Sequence, residues 1–191
     1  ALRLKENITI QNNKASDGSV ISCNHNLCSV YMTGGKITNN EASSGALIKI
    51  NKGDFKMASG NISKNQTKVG VIDGKSGFET IKFEGSPRIE SNYAMNRAKL
   101  NLKRVRMGIC GKLKSGAIIS VDNQKVLFKG CKKDVYDKGS YTINKGDLKY
   151  LKHSQKLMVR ISKNHVAYFS VLKPVLKGKA YRRKVKFRWK N

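Results

Sequence analysis

Four cysteines, three histidines and twelve carboxylates are the side chains of this 191-residue chain with the most capacity for chemistry. Hydrolysis of a glycosidic bond needs carboxylates gathered on one face. Calcium-assisted elimination needs a carboxylate cluster with a basic group beside it. No two acids here are adjacent. Asp54 and Glu79 hold similar positions 25 residues apart and could stack, and Asp134 and Asp137 sit in a lysine-rich stretch. His25, His153 and His165 show no metal-ligand spacing, so surface histidines are the expectation and no metal or cofactor is implied. Neither a phosphate-binding loop nor a Ser-His-Asp arrangement is present.

Cys23, Cys28, Cys110 and Cys131 form no C-x-x-C pair, and an even count of four allows three connectivities. In an oxidising compartment, Cys23–Cys28 would close a small loop and Cys110–Cys131 would staple strands. Free buried thiols are the alternative.

Charge separates the chain into unequal parts. Lys and Arg number 39 against 12 acids, a net of +27. Residues 1–96 hold 12 basic and 8 acidic residues, whereas residues 97–191 hold 27 and 4. Such a balance speaks of partners and solubility rather than of fold. Its extreme is residues 172–191, read as a basic tail or strand. Lys173, Lys177, Lys179, Arg182, Arg183, Lys184, Lys186, Arg188 and Lys190 stand there with no acid, and Trp189 stands among them. Within Lys184-Val-Lys-Phe-Arg-Trp-Lys190, strict alternation puts cations on one face of an extended strand and Val185, Phe187 and Trp189 on the other. Expected partners are an anionic polysaccharide, a cell-wall polymer or an anionic membrane surface. Nucleic acid would be bound only nonspecifically, because lysine makes point-charge contacts rather than the forked contacts that read bases.

The elements that must position these groups come from a repeat. Ile10-Gln-Asn-Asn13, Ile37-Thr-Asn-Asn40, Ile62-Ser-Lys-Asn65 and Ile89-Glu-Ser-Asn92 share Ile-x-x-Asn, with the isoleucines 27, 25 and 27 residues apart. Two positions beyond each Asn comes a small residue: Ala15, Ala42, Thr67 or Ala94. Short alternating triplets, Val30-Tyr-Met32, Phe55-Lys-Met57 and Ile81-Lys-Phe83, run into Gly34-Gly35, Gly60 and Gly85. Three short strands per period of about 26 residues predict a right-handed parallel β-helix of about four coils. Asn13, Asn40, Asn65 and Asn92 are then expected to stack as a ladder and to supply the left-handed backbone of a tight corner. Sequons occur at Asn7, Asn61 and Asn65, and two of them overlap the repeat consensus.

Gly34-Gly-Lys-Ile-Thr-Asn-Asn40 and Phe55-Lys-Met-Ala-Ser-Gly-Asn-Ile-Ser-Lys-Asn65 resemble repeats of adhesin-like bacterial surface proteins in the pectate-lyase-like β-helix superfamily. Gly85-Ser-Pro-Arg-Ile-Glu-Ser-Asn92 resembles the last coil of such arrays, and Leu113-Lys-Ser-Gly-Ala-Ile-Ile-Ser-Val121 the strand that follows. The resemblance implies a secreted or surface-exposed repeat module without catalysis. A polysaccharide lyase or hydrolase on the same fold is one alternative, and a structural spacer is another. The strong positive charge departs from the family's usual acidic or neutral balance.

The chain thus divides into 1–96, the parallel coils; 97–171, a final coil with a capping sheet; and 172–191. A separate all-β domain is the alternative for 97–171. Further strands are expected at Leu100–Leu102, Met107–Ile109, Ala117–Val121, Val126–Phe128, Tyr141–Ile143, Leu157–Ile161 and Val166–Val171, with helix nearly absent. The chain starts with Ala1. It reads as a processed product or a piece of a longer chain, monomeric or embedded in that chain.

Overall fold

A computed structural model describes residues 1–17, 19–74, 80–94, 106–121, 126–131, 140–153, 157–171, 177–181 and 184–188. Strand pairing runs from coil to coil. Ser29–Thr38 lies between Leu2–Leu4 and Thr9–Gln11 on one side and Asp54–Ser63 on the other, all parallel. Asp54–Ser63 passes to Ile81–Gly85 and Arg88–Glu90. These pass to Arg106–Leu113 and Ile118–Val121, and those to Leu127–Gly130 and Leu151–His153. Two smaller parallel ladders complete each coil. One is Ile21–Cys23, Ala46–Ile50 and Gly70–Gly74; the other is Lys14–Ala15, Glu41–Ala42, Gln66–Thr67 and Tyr93–Ala94. The chain is a parallel β-helix of about four coils.

The register explains the repeat. Ile10, Ile37, Ile62, Ile89, Ile119 and Leu151 stand one above another. From Ile37 to Leu151 each is buried. A second column runs Leu4, Met32, Met57, Phe83 and Ile109. Each fully buried apolar side chain contributes about 1.5–3 kcal/mol, so periodic burial is what makes the coil length repeat.

The two corners use different chemistry. At the first, Gly35, Gly60 and Gly85 take φ of 77°, 102° and 67°. A Cβ at Gly85 would meet the Ala58 carbonyl oxygen at 2.5 Å, because the turn of one coil lies directly on that of its neighbour. At the second corner, the left-handed residues are Asn12, Asn39, Lys64 and Ser91, with φ between 54° and 59°. This corrects the expectation that the repeated Asn supplies the left-handed backbone: the residue before it does. The Asn itself is freed for side-chain bonding. The small residues after it, Ala15, Ala42, Thr67 and Ala94, stack in register.

At each rung of the ladder, the backbone N–H and the side-chain amide of one Asn both donate to Oδ1 of the next. Asn13 does so to Asn40 at 3.0 and 2.9 Å, Asn40 to Asn65 at 2.9 and 3.1 Å, and Asn65 to Asn92 at 3.1 and 2.9 Å. The amide nitrogens of Asn40, Asn65 and Asn92 also donate to the carbonyl two residues earlier and to Ile10, Ile37 and Ile62 of the preceding coil. Asn40 and Asn65 are 1% and 0% exposed. The Asn-to-Asn bonds therefore have a direction, each Asn donating to the Asn of the later coil and accepting from the Asn of the earlier one.

Beyond the repeat, Met158–Ile161 and Val166–Ser170 form an antiparallel hairpin whose second strand lies antiparallel to Leu127–Gly130. Phe169 packs edge-on against Phe128 at 6.2 Å. Two expected strands need correction or placement, and one strand was not expected. Tyr141–Ile143 is not a strand: its Tyr141 N–H donates to Cys131, while Ile143 is buried in the core. Leu151–His153, unanticipated, is a strand after a single 3-10 turn at Leu148–Tyr150. Leu100–Leu102 lies outside the described residues.

Candidate polyanion-binding surface

Asp17, Glu41, Glu84 and Glu90, distributed along the column, pair with cations. Glu41 pairs with Lys14 at 3.1 Å across two coils, and Glu84 with Lys56 at 3.2 Å. Asp17 pairs with Lys49, whose amine it pulls above the ordinary lysine range through a hydrogen bond and its charge. Glu90 is held by Arg88 of its own strand. Asp54 stands in register with Ser29; Glu79, Asp134 and Asp137 lie outside the described residues. Asp147 is buried and accepts from the Tyr141 hydroxyl at 3.0 and 2.9 Å and from the Asn144 N–H at 3.0 Å. Burial first, then the Asp147 hydrogen bond and charge, pushes Tyr141 up to about 12. This pair locks the turn before Leu148.

The histidines are dispersed. His25 Nδ1 accepts from the Leu27 N–H and His165 Nδ1 lies 3.3 Å from the Ile143 carbonyl, whereas His153, against the expectation of surface histidines, is buried and packs on Phe169 at 5.1 Å. Among the described residues no three His, Cys, Asp or Glu side chains gather in a way that could hold a metal. Both local disulfides are formed: Cys23–Cys28, with Cα atoms 5.7 Å apart, and Cys110–Cys131, 4.7 Å apart. A cleft of about 510 Å³ beside the capping hairpin is lined by Leu148, Leu151, Leu157 and Val159 with Lys149, Lys152 and His153.

Cationic positions line up in two places, in the first of which Lys82 is buried and Lys56 is paired with Glu84. Arg3, Tyr31, Lys56, Lys82, Gly108 and Lys129 occupy one register column, alternating with core positions. The Arg3 guanidinium lies over the Tyr31 ring at 5.6 Å. The basic-tail reading of the sequence missed this stripe. Its signal was present as the middle residues of the three alternating triplets.

The second place is the C-terminal segment. Lys177–Tyr181 pairs antiparallel with Lys184–Arg188. Lys177 is opposite Arg188, Lys179 opposite Lys186, and Tyr181 opposite Lys184. Gly178 is opposite Phe187, and Ala180 opposite Val185. Directly opposed residues share a face, and faces alternate along a strand. Five of the sequence-predicted cation positions, Lys177, Lys179, Lys184, Lys186 and Arg188, therefore fall together on one face of the hairpin with Tyr181. The strand Lys184–Arg188 was legible as an alternating segment, but its partner was not. Lys173, Arg182, Arg183, Trp189 and Lys190 lie outside the described residues.

Comparison with protein-family models, curated proteins and solved structures returned no match to this chain.

Proposed function

We propose that this chain is a non-enzymatic extracellular β-helix module, of the adhesin-like kind found in the pectate-lyase-like superfamily, that adheres to an anionic polysaccharide, wall polymer or membrane surface. One observation carries the reading: the register of the C-terminal hairpin gathers five cationic positions on one face. Like charges directly opposite each other destabilise a strand pair. Lys177 opposite Arg188 and Lys179 opposite Lys186 are such pairs, and a polyanion laid across them removes that repulsion. Each cation at an anionic surface contributes about 1 kcal/mol within a Debye length of about 8 Å at physiological salt. Five give roughly 5 kcal/mol, a dissociation constant on the order of 0.1–1 mM. Repetition of the module would strengthen this. The two disulfides and the resemblance to surface repeats support an extracellular setting.

The test is salt elution from immobilised heparin and from vesicles containing anionic lipid, comparing the whole chain with one ending at Val171. Loss of retention at physiological salt on truncation is the expected result. Equal retention of both would move the binding to the column and refute the hairpin reading. Retention persisting at about 1 M salt, where the Debye length is about 3 Å, would refute the electrostatic mechanism.

A further inference from the structure

The two ends of the column differ. After the last coil, the sheet turns antiparallel through the hairpin Met158–Ile161 and Val166–Ser170. At the other end, Leu2–Leu4, Thr9–Gln11, Lys14–Ala15 and Ile21–Cys23 each pair on one side only among the described residues. One core column is open there, while Leu4, Ile21 and Cys23 of the same coil are buried. Leu2, Val30, Phe55 and Ile81 share one register column, and their exposures are 45%, 1%, 0% and 1%. Leu2 is a core residue that lacks the layer above it.

The asparagine ladder says what that layer must be. Every rung passes two N–H donors from one coil to Oδ1 of the next, so the exposed acceptor of the series is Asn13 Oδ1. No described donor reaches it. It stands beside left-handed Asn12, in the same corner geometry that receives a preceding coil at Asn39, Lys64 and Ser91.

We infer that the first coil is a docking surface for one further parallel coil of the Ile-x-x-Asn type. The incoming coil must end its corner in Asn rather than Asp. An Asn supplies both the backbone and the side-chain donor to Asn13 Oδ1, whereas a carboxylate would set oxygen against oxygen. A second copy of this chain does not supply such a coil. Its own first coil offers the same acceptor and the same strand edges, so a two-fold pairing opposes Oδ1 to Oδ1 and runs the strands antiparallel. At its far end the antiparallel hairpin covers Leu127–Gly130, so that strand offers no free parallel edge. The inference is independent of polyanion binding.

The register also fixes the variant that tests it. Leu2 pairs with Val30 and Ser29 with Asp54, so a 25-residue copy of residues 29–53 placed before Ala1 sets the copied Val30 over Leu2, and the one extra residue that the first coil already carries between Leu2 and Ile10 is taken up as it is against Ser29–Thr38. The copy brings no cysteine. In the full chain carrying this copy, the thermal midpoint should rise by about 5 °C or more. Amide exchange at Leu2–Leu4 and Thr9–Gln11 should slow by at least about tenfold. Placing Asp at the copied Asn40 position should remove most of the gain, and a scrambled copy should give none. Unchanged exchange with the in-register copy would overturn the inference. So would an Asp variant equal to the Asn form. Dimerisation of the original chain, with protection appearing at Leu2–Leu4, would overturn it in favour of a second copy.

Discussion

Replacing Asn65 by Ala removes the amide at the most enclosed rung of the ladder. The two amide hydrogens of Asn65 are shared among the Ile37 and Ser63 carbonyls, both at 3.0 Å, and Asn92 Oδ1 at 2.9 Å. It accepts from the Asn40 backbone N–H at 2.9 Å and the Asn40 amide at 3.1 Å. After truncation, the Asn40 N–H is left without its acceptor at a position 1% exposed to water. An orphaned buried group costs about 1–3 kcal/mol, and each lost hydrogen bond about 1 kcal/mol. The Asn92 oxygen keeps the Asn65 backbone donor at 3.1 Å, which limits the loss. The expected destabilisation is therefore about 3–5 kcal/mol. Asn13→Ala touches an exposed residue whose removal leaves Asn40 Oδ1 without a bond that water can replace, so its cost is under about 1 kcal/mol. Equilibrium urea unfolding of both variants, followed by far-ultraviolet circular dichroism, measures the difference. Similar costs at the two positions would refute the ladder as a source of stability. Asn65→Asp sharpens the test. The carboxylate would face three acceptors, so its folded pKa lies above the unfolded value of about 3.9. Below that value both states are protonated and stability is greatest. It falls as pH rises from about 4 through the folded pKa, and an Asp variant with no such pH dependence would contradict the assigned bonding.

Gly85→Ala and Gly116→Ala form a matched pair, since both residues have positive φ, 67° and 85°. A Cβ meets the Ala58 oxygen at 2.5 Å in the first and nothing within 4 Å in the second. Gly116→Ala should cost about 1 kcal/mol, Gly85→Ala at least about 2 kcal/mol more, by thermal or urea unfolding. Reduction of the disulfides should lower stability by about 2 kcal/mol for Cys23–Cys28 and about 3 kcal/mol for Cys110–Cys131, from the chain lengths they close, measured with single Cys-pair to Ser-pair variants. Spectrophotometric titration should find one tyrosine ionising near pH 12, lost in Tyr141→Phe and lowered in Asp147→Asn. Because the folded pKa lies above the unfolded value of 10, this tyrosine's contribution is complete below pH 10 and declines as pH rises towards 12.

The column was legible because its determinants are local and periodic. One Ile, one corner Asn and one turn Gly per coil recur at nearly constant spacing, and parallel in-register stacking places equal positions on top of each other. The division of labour at the corner was not legible. Asn12, Asn39, Lys64 and Ser91 share a backbone angle, but only the first two are of a type that favours it. Beyond Asn92 the pattern is harder to read. Ile119 continues the Ile column without the Asn, and Leu151 continues it only after a long excursion that includes the Asp147-locked turn. Of the candidate surface, the alternation of Lys184–Arg188 was visible within one strand. Its pairing with Lys177–Tyr181 and the Arg3–Lys56–Lys82–Lys129 stripe depend on register between segments, which no single segment contains.

The most direct test of a localised anionic-surface module is a charge exchange at constant net charge. One variant carries Gln at Lys177, Lys179, Lys184, Lys186 and Arg188. The other carries Gln at five exposed lysines of the column and its cap: Lys5, Lys52, Lys68, Lys114 and Lys163. Both lower the net charge of +27 equally. Heparin affinity measured as a function of salt should collapse, with a shallower salt slope, in the hairpin variant and stay near the original in the other. Equal losses in the two would show that the chain binds as a diffuse polycation and would contradict a dedicated binding face.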